Sequence, residues 1–133
     1  MRLSTAALIA GMLLALSVPT LAHHSFSNFW YMDKTVEVTG MVKSLKLVNP
    51  HSELAIEVTE GGQASTWYIT SEGTGSALRK AGWTPDSLPI GTKVTIAGHP
   101  SRKEGAKALA AGKITKADGS VIWFGGGGNV PQG

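Results

Sequence analysis

Alternation of apolar and polar positions begins after the first quarter of the chain and predicts β-strands. In the first such run Val38 and Val42 have one parity, whereas Leu45 and Leu47 have the other. One face of a strand stays buried only while the parity holds. We therefore expect a β-bulge or a sharp bend between Val42 and Leu45.

Further runs of the same period predict the remaining strands, each bounded by glycine, proline or asparagine turn signals. The turn residues are Asn49-Pro50 after the first strand, Gly61-Gly62 after the second and Asp118-Gly119 before the last. The predicted strands after the first cover residues 51–59, 65–70, a run around Val94 and Ile96 that ends at Pro100, 107–116 and 121–124.

One segment, "SEGTGSALRKAGW", has helical rather than strand character. Thr74 or Ser76 would cap a short helix, and Gly82 suits the left-handed position after its end. Three strands, a short helix and two or three more strands are the element order of the OB-fold. We therefore predict an all-β domain with one short helix, an OB-fold-like five- to six-stranded Greek-key barrel. A small antiparallel β-sandwich is the alternative.

The first 22 residues have the pattern of a signal peptide. Arg2 precedes an apolar run from Ala6 to Val18, and Thr20-Leu21-Ala22 supplies the small residues of a cleavage site. The apolar run is shorter than the ~20 residues that cross a bilayer. We expect cleavage after Ala22 and a periplasmic or secreted protein without a transmembrane segment in its mature chain.

With cleavage at this position, we expect four segments along the chain. We predict a signal peptide at residues 1–22, an aromatic and histidine-containing segment at 23–34, the β-barrel domain at 35–124 and a flexible glycine-rich tail at 125–133. His23 would then be the first residue of the mature protein.

Charge and cysteine content narrow the range of functions. The 133-residue chain has 12 basic and 9 acidic side chains, a net charge of +3 that is too small to suggest nucleic-acid binding. Cysteine is absent, so a metal site must use histidine, carboxylate, methionine or backbone groups. The sequence has neither a nucleophile elbow nor a His-Glu-x-x-His motif, and we predict that the protein is not an enzyme.

Five phrases of the sequence occur in a characteristic order: "AHHSF", "DKTVEVTGMV", "NPH", "LRKAGW" and "SLPIGTKVTIAGHP". Together they resemble a family of small exported bacterial proteins of unknown function, over about residues 22–119. The resemblance implies export and a small β domain, and it implies no activity. All four histidines lie in these phrases, namely His23, His24, His51 and His99.

These histidines are the candidate metal ligands. A free amino-terminal His23 can chelate copper through its amine and its imidazole, with His24 beside it, and imidazole nitrogen suits copper and zinc. We expect copper, with zinc as the alternative. Because the strand ending at His99 would run antiparallel to the first strand, the sequence favours His99 over His51 as the third ligand.

Two alternatives remain open from the sequence. Cleavage one residue earlier would put His24 third, where a square-planar copper or nickel site can form. The histidines could also be purely structural, with His51 and His99 bonding turn backbones next to Pro50 and Pro100. The protein would then be a non-catalytic accessory domain that binds a protein or small ligand of the cell envelope.

Phe26, Phe29 and Trp30 have the i, i+3, i+4 spacing of one helix face. We predict a short amphipathic turn that plugs one end of the barrel, because a small barrel needs bulky closure. The alternative is an exposed patch that docks a partner or a membrane surface.

Overall fold

A computed structural model describes residues 26–125 of the chain. Residues 26–29 are helical and lead into the barrel. The predicted signal peptide, His23, His24 and the tail after Gly125 lie outside the described residues. The elements are β1 (Val36–Lys46), β2 (Glu53–Glu60), β3 (Gln63–Ser71), α1 (Gly75–Lys80), a 3-10 turn (Pro85–Ser87), β4 (Lys93–Pro100), β5 (Ala108–Lys116) and β6 (Val121–Trp123).

Hydrogen bonding joins the strands in the order β3-β2-β1-β4-β5-β6, with an additional pairing between β3 and β5. The neighbours in the sheet are antiparallel, whereas β3 and β5 are parallel, from Tyr68 opposite Ala108 to Ser71 opposite Ala111. This parallel pairing closes β1 to β5 into a ring, and β6 extends β5 outside it. The OB-fold-like barrel is thereby confirmed, and the alternative of two separate sheets is wrong.

Strand β1 pairs with β4 along its first half and with β2 along its second half. The register between β1 and β2 shifts between Val42 and Ser44, which confirms the bulge that the parity change predicts. Gly40 lies just before this shift, and a Cβ atom there would collide with the backbone carbonyl oxygen of Glu57. The glycine therefore allows β1 and β2 to approach each other where the strand coils.

The helix α1 forms where the sequence predicts it. The hydroxyl of Thr74 accepts a hydrogen bond from the Ala77 amide at 3.1 Å, and Gly82 has a φ of +94° that suits a residue without a side chain. Leu78 of α1 and Trp83 just beyond it are buried in the core. The helix therefore contributes the Leu78 side chain to the core, and its end positions Trp83 to pack there as well.

The core consists of the inward positions of the strands, supplemented from α1 and from the end of the described chain. Trp83 contacts Phe124 with ring centroids 5.3 Å apart, so the residue after β6 completes the core. The largest fully buried side chains are Phe124, Leu54, Ile56, Ile69, Leu78, Leu88, Ile96, Leu109 and Ile114.

We expect Gly40→Ala to destabilise the barrel, because the added methyl group forces the β1 and β2 backbones apart. The free energy of unfolding should fall by roughly 1–3 kcal/mol, as for other overpacked sites. Chemical denaturation of both proteins measures it. Met41→Ala is the control, since Met41 is an exposed neighbour in the same strand and its loss should cost about 0.5 kcal/mol or less. Equal losses in the two variants would contradict the close-approach role of Gly40.

Candidate functional site at the amino-terminal segment

His51 lies between the Asn49-Pro50 turn and the start of β2, with its side chain exposed. Its Nδ1 atom is 3.0 Å from the carbonyl oxygen of Ser71. A carbonyl oxygen only accepts hydrogen bonds, so Nδ1 is the protonated donor and Nε2 carries the lone pair of the neutral ring. The imidazole of His51 therefore has a fixed tautomer with Nε2 as its basic nitrogen.

Two buried serines hold the backbone beneath His51. Ser52 and Ser71 are fully buried, and the Ser52 amide donates to the Ser71 hydroxyl at 2.9 Å. The Ser71 amide donates in return to the Ser52 carbonyl at 2.9 Å, and the Ser71 hydroxyl donates to Gly73. The backbone directly after His51 is thus tied to the end of β3 by two hydrogen bonds. Neither serine was predicted as part of a site, although Ser71 has the inward parity of Ile69.

Arg102, in the loop after β4, anchors the segment that precedes β1. Its Nε atom donates to the carbonyl oxygens of Ser27 at 2.7 Å and Trp30 at 3.2 Å. Its backbone amide donates to the carbonyl of Phe29 at 2.8 Å. These carbonyls lie at the end of the helical residues, where intrahelical donors are lacking. One residue therefore caps this helical end and attaches it to the barrel.

Tyr31 strengthens the same attachment. Its amide donates to the carbonyl of Pro100 at 2.9 Å, which adds a backbone contact to β4. The Lys34 ammonium lies 4.2 Å from the centre of the Tyr31 ring, and the Arg102 guanidinium lies 4.4 Å from it. Cations at this distance from an aromatic ring are attracted to it. The residues from Ser27 to Lys34 are therefore held to the end of β4 by several independent contacts.

The aromatic residues of the segment lie outside the buried core. Phe29 is 65% exposed, and Phe26 and Trp30 are half-buried. The prediction that they plug the barrel is therefore wrong, because the strands, α1 and Trp83 already fill the interior. The rings instead form one wall of a surface groove of about 360 Å³. This groove is lined by Phe26, Phe29, Trp30, His51, Thr70, Ser101 and Lys103.

His51 and the amino-terminal segment lie side by side in the lining of this groove. The Phe26 ring lies 5.9 Å from the His51 ring and 6.1 Å from the Trp30 ring, measured between centroids. The prediction had separated His51 from this segment because they adjoin opposite ends of β1. The two do adjoin opposite ends of β1, but the β3–β5 pairing brings the start of β2 round to the loop that holds the segment.

His99 contacts the other end of the segment, as the antiparallel β1–β4 pairing predicts. Its Nδ1 atom lies 2.7 Å from the carbonyl oxygen of Lys34. Within residues 26–125, no group of three or more histidine, cysteine, aspartate or glutamate side chains forms a metal site. His51 and His99 thus flank the segment from its two ends, and the other two candidate ligands, His23 and His24, precede the described residues.

A comparison with protein families matches residues 10–110 to a family of unknown function, DUF6152. The chain belongs to DUF6152. The match to DUF6152 includes all four histidines, the aromatic segment and Arg102. A search of the curated proteins found no match. None of the helices between residues 26 and 125 is long and apolar enough to cross a membrane.

For this DUF6152 protein we expect Arg102→Gln to release the amino-terminal segment, because the side-chain bonds to two carbonyls are lost. Hydrogen bonds to charged groups contribute about 1.5–3 kcal/mol, so the Trp30 and Tyr31 amides should exchange with deuterium about tenfold faster or more. Lys103→Gln is the control, since it removes a positive charge from the same loop without touching these carbonyls. Unchanged exchange in Arg102→Gln would show that the other contacts hold the segment alone.

Proposed function

We propose that this protein is an exported, periplasmic binding module for a transition metal, copper before zinc, with its mature amino-terminal histidines as the first ligands. The observation that supports the proposal is the attachment of the segment after these histidines. His51 contacts its first described residue, Phe26, and His99 bonds its last residue, Lys34. Two further imidazoles therefore border the short stretch of chain that follows His23 and His24.

The donor set suits copper(II). A terminal amine and imidazole nitrogens are the ligands that copper(II), nickel and zinc accept, and copper(II) binds most strongly of the three to such a site. The absence of cysteine leaves no thiolate, the soft ligand that selects copper(I). Metal ligation by histidine is commonly supported by a hydrogen bond from the other ring nitrogen to a carbonyl. The Nδ1 atoms of both His51 and His99 make such a contact.

The proposal is one of binding rather than catalysis. The groove beside His51 is lined by aromatic residues, a threonine, a serine and a lysine, and none of these forms a nucleophile–base pair with it. Export follows from the proposed cleavage after Ala22, which also generates the amine of His23. Metal binding and processing of the signal peptide are therefore linked in this proposal.

Titration of copper(II) into the mature chain tests the proposal. We expect one copper ion per chain, and we expect His23→Ala and His24→Ala each to weaken binding by about tenfold or more, since each removes a ligand. Mass spectrometry of the secreted protein should give His23 as its first residue. A matched control begins with three additional alanines before His23, which moves the free amine away from the imidazole and keeps both histidines out of the third position, where a square-planar site could form. Failure of the mature chain to bind copper, or binding that neither substitution weakens, would reject the proposal.

A second candidate function, an accessory domain that docks an envelope protein, is favoured by the exposure of one ring. Phe29 leaves 65% of its surface in solvent at the edge of the groove. Large exposed apolar rings beside a groove are typical of protein contacts. The same surface could therefore serve a partner rather than a metal.

Crosslinking in cell-envelope extracts tests whether the aromatic segment docks a partner protein. Phe29→Ala and Trp30→Ala should each remove a defined crosslinked partner, because both rings form the groove wall. Ile90→Ala is the control, since Ile90 is a large exposed residue that is not among the groove's lining residues. Equal capture by all three variants would exclude the aromatic segment as the docking surface.

A further inference from the structure

We infer that the groove beside the amino-terminal segment binds a small organic acid with a flat aromatic body and a single carboxylate. The rings of the segment contact the aromatic body, and the Lys103 ammonium pairs with the carboxylate. This inference goes beyond the proposed metal function. It uses only groups that line the groove, and none of them has to ligate a metal.

The groove has the size and lining of a small-molecule site. Its volume of about 360 Å³ lies within the range of about 300–1,000 Å³ that such sites occupy, and Phe26, Phe29 and Trp30 give it an aromatic wall. The Phe26 and Trp30 rings are tilted by 38° to each other with their centroids 6.1 Å apart. A ligand ring beside them can contact each at an angle, which is an arrangement that aromatic pairs prefer. The wall therefore favours a flat aromatic body.

The charge of the lining indicates an anion. Lys103 is the one charged residue in the lining of the groove. Among the residues that the structure describes, both ion pairs join β1 to β2, so no carboxylate neutralises Lys103. An anion beside this ammonium meets complementary charge, whereas a cation is repelled. The groove should therefore select a carboxylate over a neutral or cationic group.

Two polar groups of the lining orient the acid. The Ser101 hydroxyl oxygen accepts a hydrogen bond from the Lys103 amide at 3.1 Å, which leaves the hydroxyl proton free to donate. The Nδ1 atom of His51 donates to the Ser71 carbonyl, so its Nε2 atom carries a lone pair and accepts. Ser101 and Lys103 therefore attract the carboxylate, and the lone pair of His51 repels it. The aromatic body should carry a donor for Nε2, such as a phenol hydroxyl.

Contacts within the protein fix the walls of the groove. Trp30 forms a β-bridge with Ser101, and Arg102 donates hydrogen bonds to the carbonyl oxygens of Ser27 and Trp30. The His51 ring is held by its own hydrogen bond to the end of β3. Binding therefore has to order few additional groups, which favours affinity.

The position of the groove in the fold also supports a ligand. His51 belongs to the β1–β2 turn, Ser101 and Lys103 follow β4 in the loop that leads to β5, and Thr70 belongs to β3. OB-folds bind oligonucleotides and oligosaccharides with these two loops and the β2–β3 face. One cation is too few for a chain of phosphates, and this lining has few groups for the many hydroxyls of a sugar. A small aromatic acid fits it better than either.

Calorimetric titration of the mature chain with 4-hydroxyphenylacetate tests the inference, in metal-free buffer so that copper plays no part. For a ligand of this size we expect a Kd on the order of 0.1–1 mM. The matched probe 4-hydroxyphenylacetamide has the same aromatic body without the charge, and it should bind about threefold more weakly or worse. Equal binding of the acid and the amide, or no binding of the acid, would overturn the inference.

Two matched variants locate the carboxylate. Lys103→Gln removes the ammonium from the groove, so it should weaken binding of the acid about threefold or more and leave binding of the amide unchanged. Lys107→Gln is the control, because it removes a positive charge from the same loop outside the lining. Equal losses in the two variants would show that the acid responds only to the overall charge of the loop, which would overturn the assignment to Lys103.

NMR of the parent protein locates the site without any substitution. The acid should shift the amide signals of Thr70, Ser101 and Lys103, which line the groove. A second depression of about 160 Å³ is the internal control, because Lys93 and Lys116 line it and no aromatic ring does. Shifts there instead of in the groove would mean that the acid follows positive charge alone, and would reject the inference. Because no metal is present, that failure would leave the proposed metal function untouched.

Discussion

The parallel pairing of β3 with β5 is the contact on which the arrangement of this protein depends. Four residues of each strand form it, from Tyr68 to Ser71 and from Ala108 to Ala111. Without it, the antiparallel neighbours would form an open sheet whose first and last members are far apart. With it, the end of β3 lies beside the start of β5. The loop that connects β4 to β5 is consequently brought towards the turn before β2.

The surface site follows from this closure. Ser71 ends β3 and accepts the hydrogen bond of His51, while Arg102 in the β4–β5 loop holds the carbonyls of the amino-terminal segment. Ser71 belongs to β3, and Arg102 belongs to the loop that leads into β5, so the two strands of the parallel pair hold the two residues. Their proximity therefore depends on the closure of the barrel. The contact between the rings of Phe26 and His51 results from it.

Much of the fold could be predicted from local patterns. The parity change in the first strand locates the bulge at Val42, and Thr74 and Gly82 mark the ends of the helix, because parity and capping depend on residues close in sequence. The element order then suggests the OB-fold.

The surface site was harder to predict because its contacts are not local. The placement of His51 depends on the β3–β5 pairing, and the role of Arg102 depends on carbonyls 72 to 75 residues earlier in the chain. A single exposed arginine has no periodicity that would reveal such partners. The spacing of Phe26, Phe29 and Trp30 correctly indicated a helical turn, but spacing alone does not say what the turn packs against.

The positions of these contacts along the sequence also determine the order in which they can form while the chain is synthesised from its amino end. Residues 26–34 are synthesised before any strand, yet their anchors at Pro100 and Arg102 appear only after four strands have been made. Phe124, which completes the core, appears later still. The segment that is made first is therefore docked late.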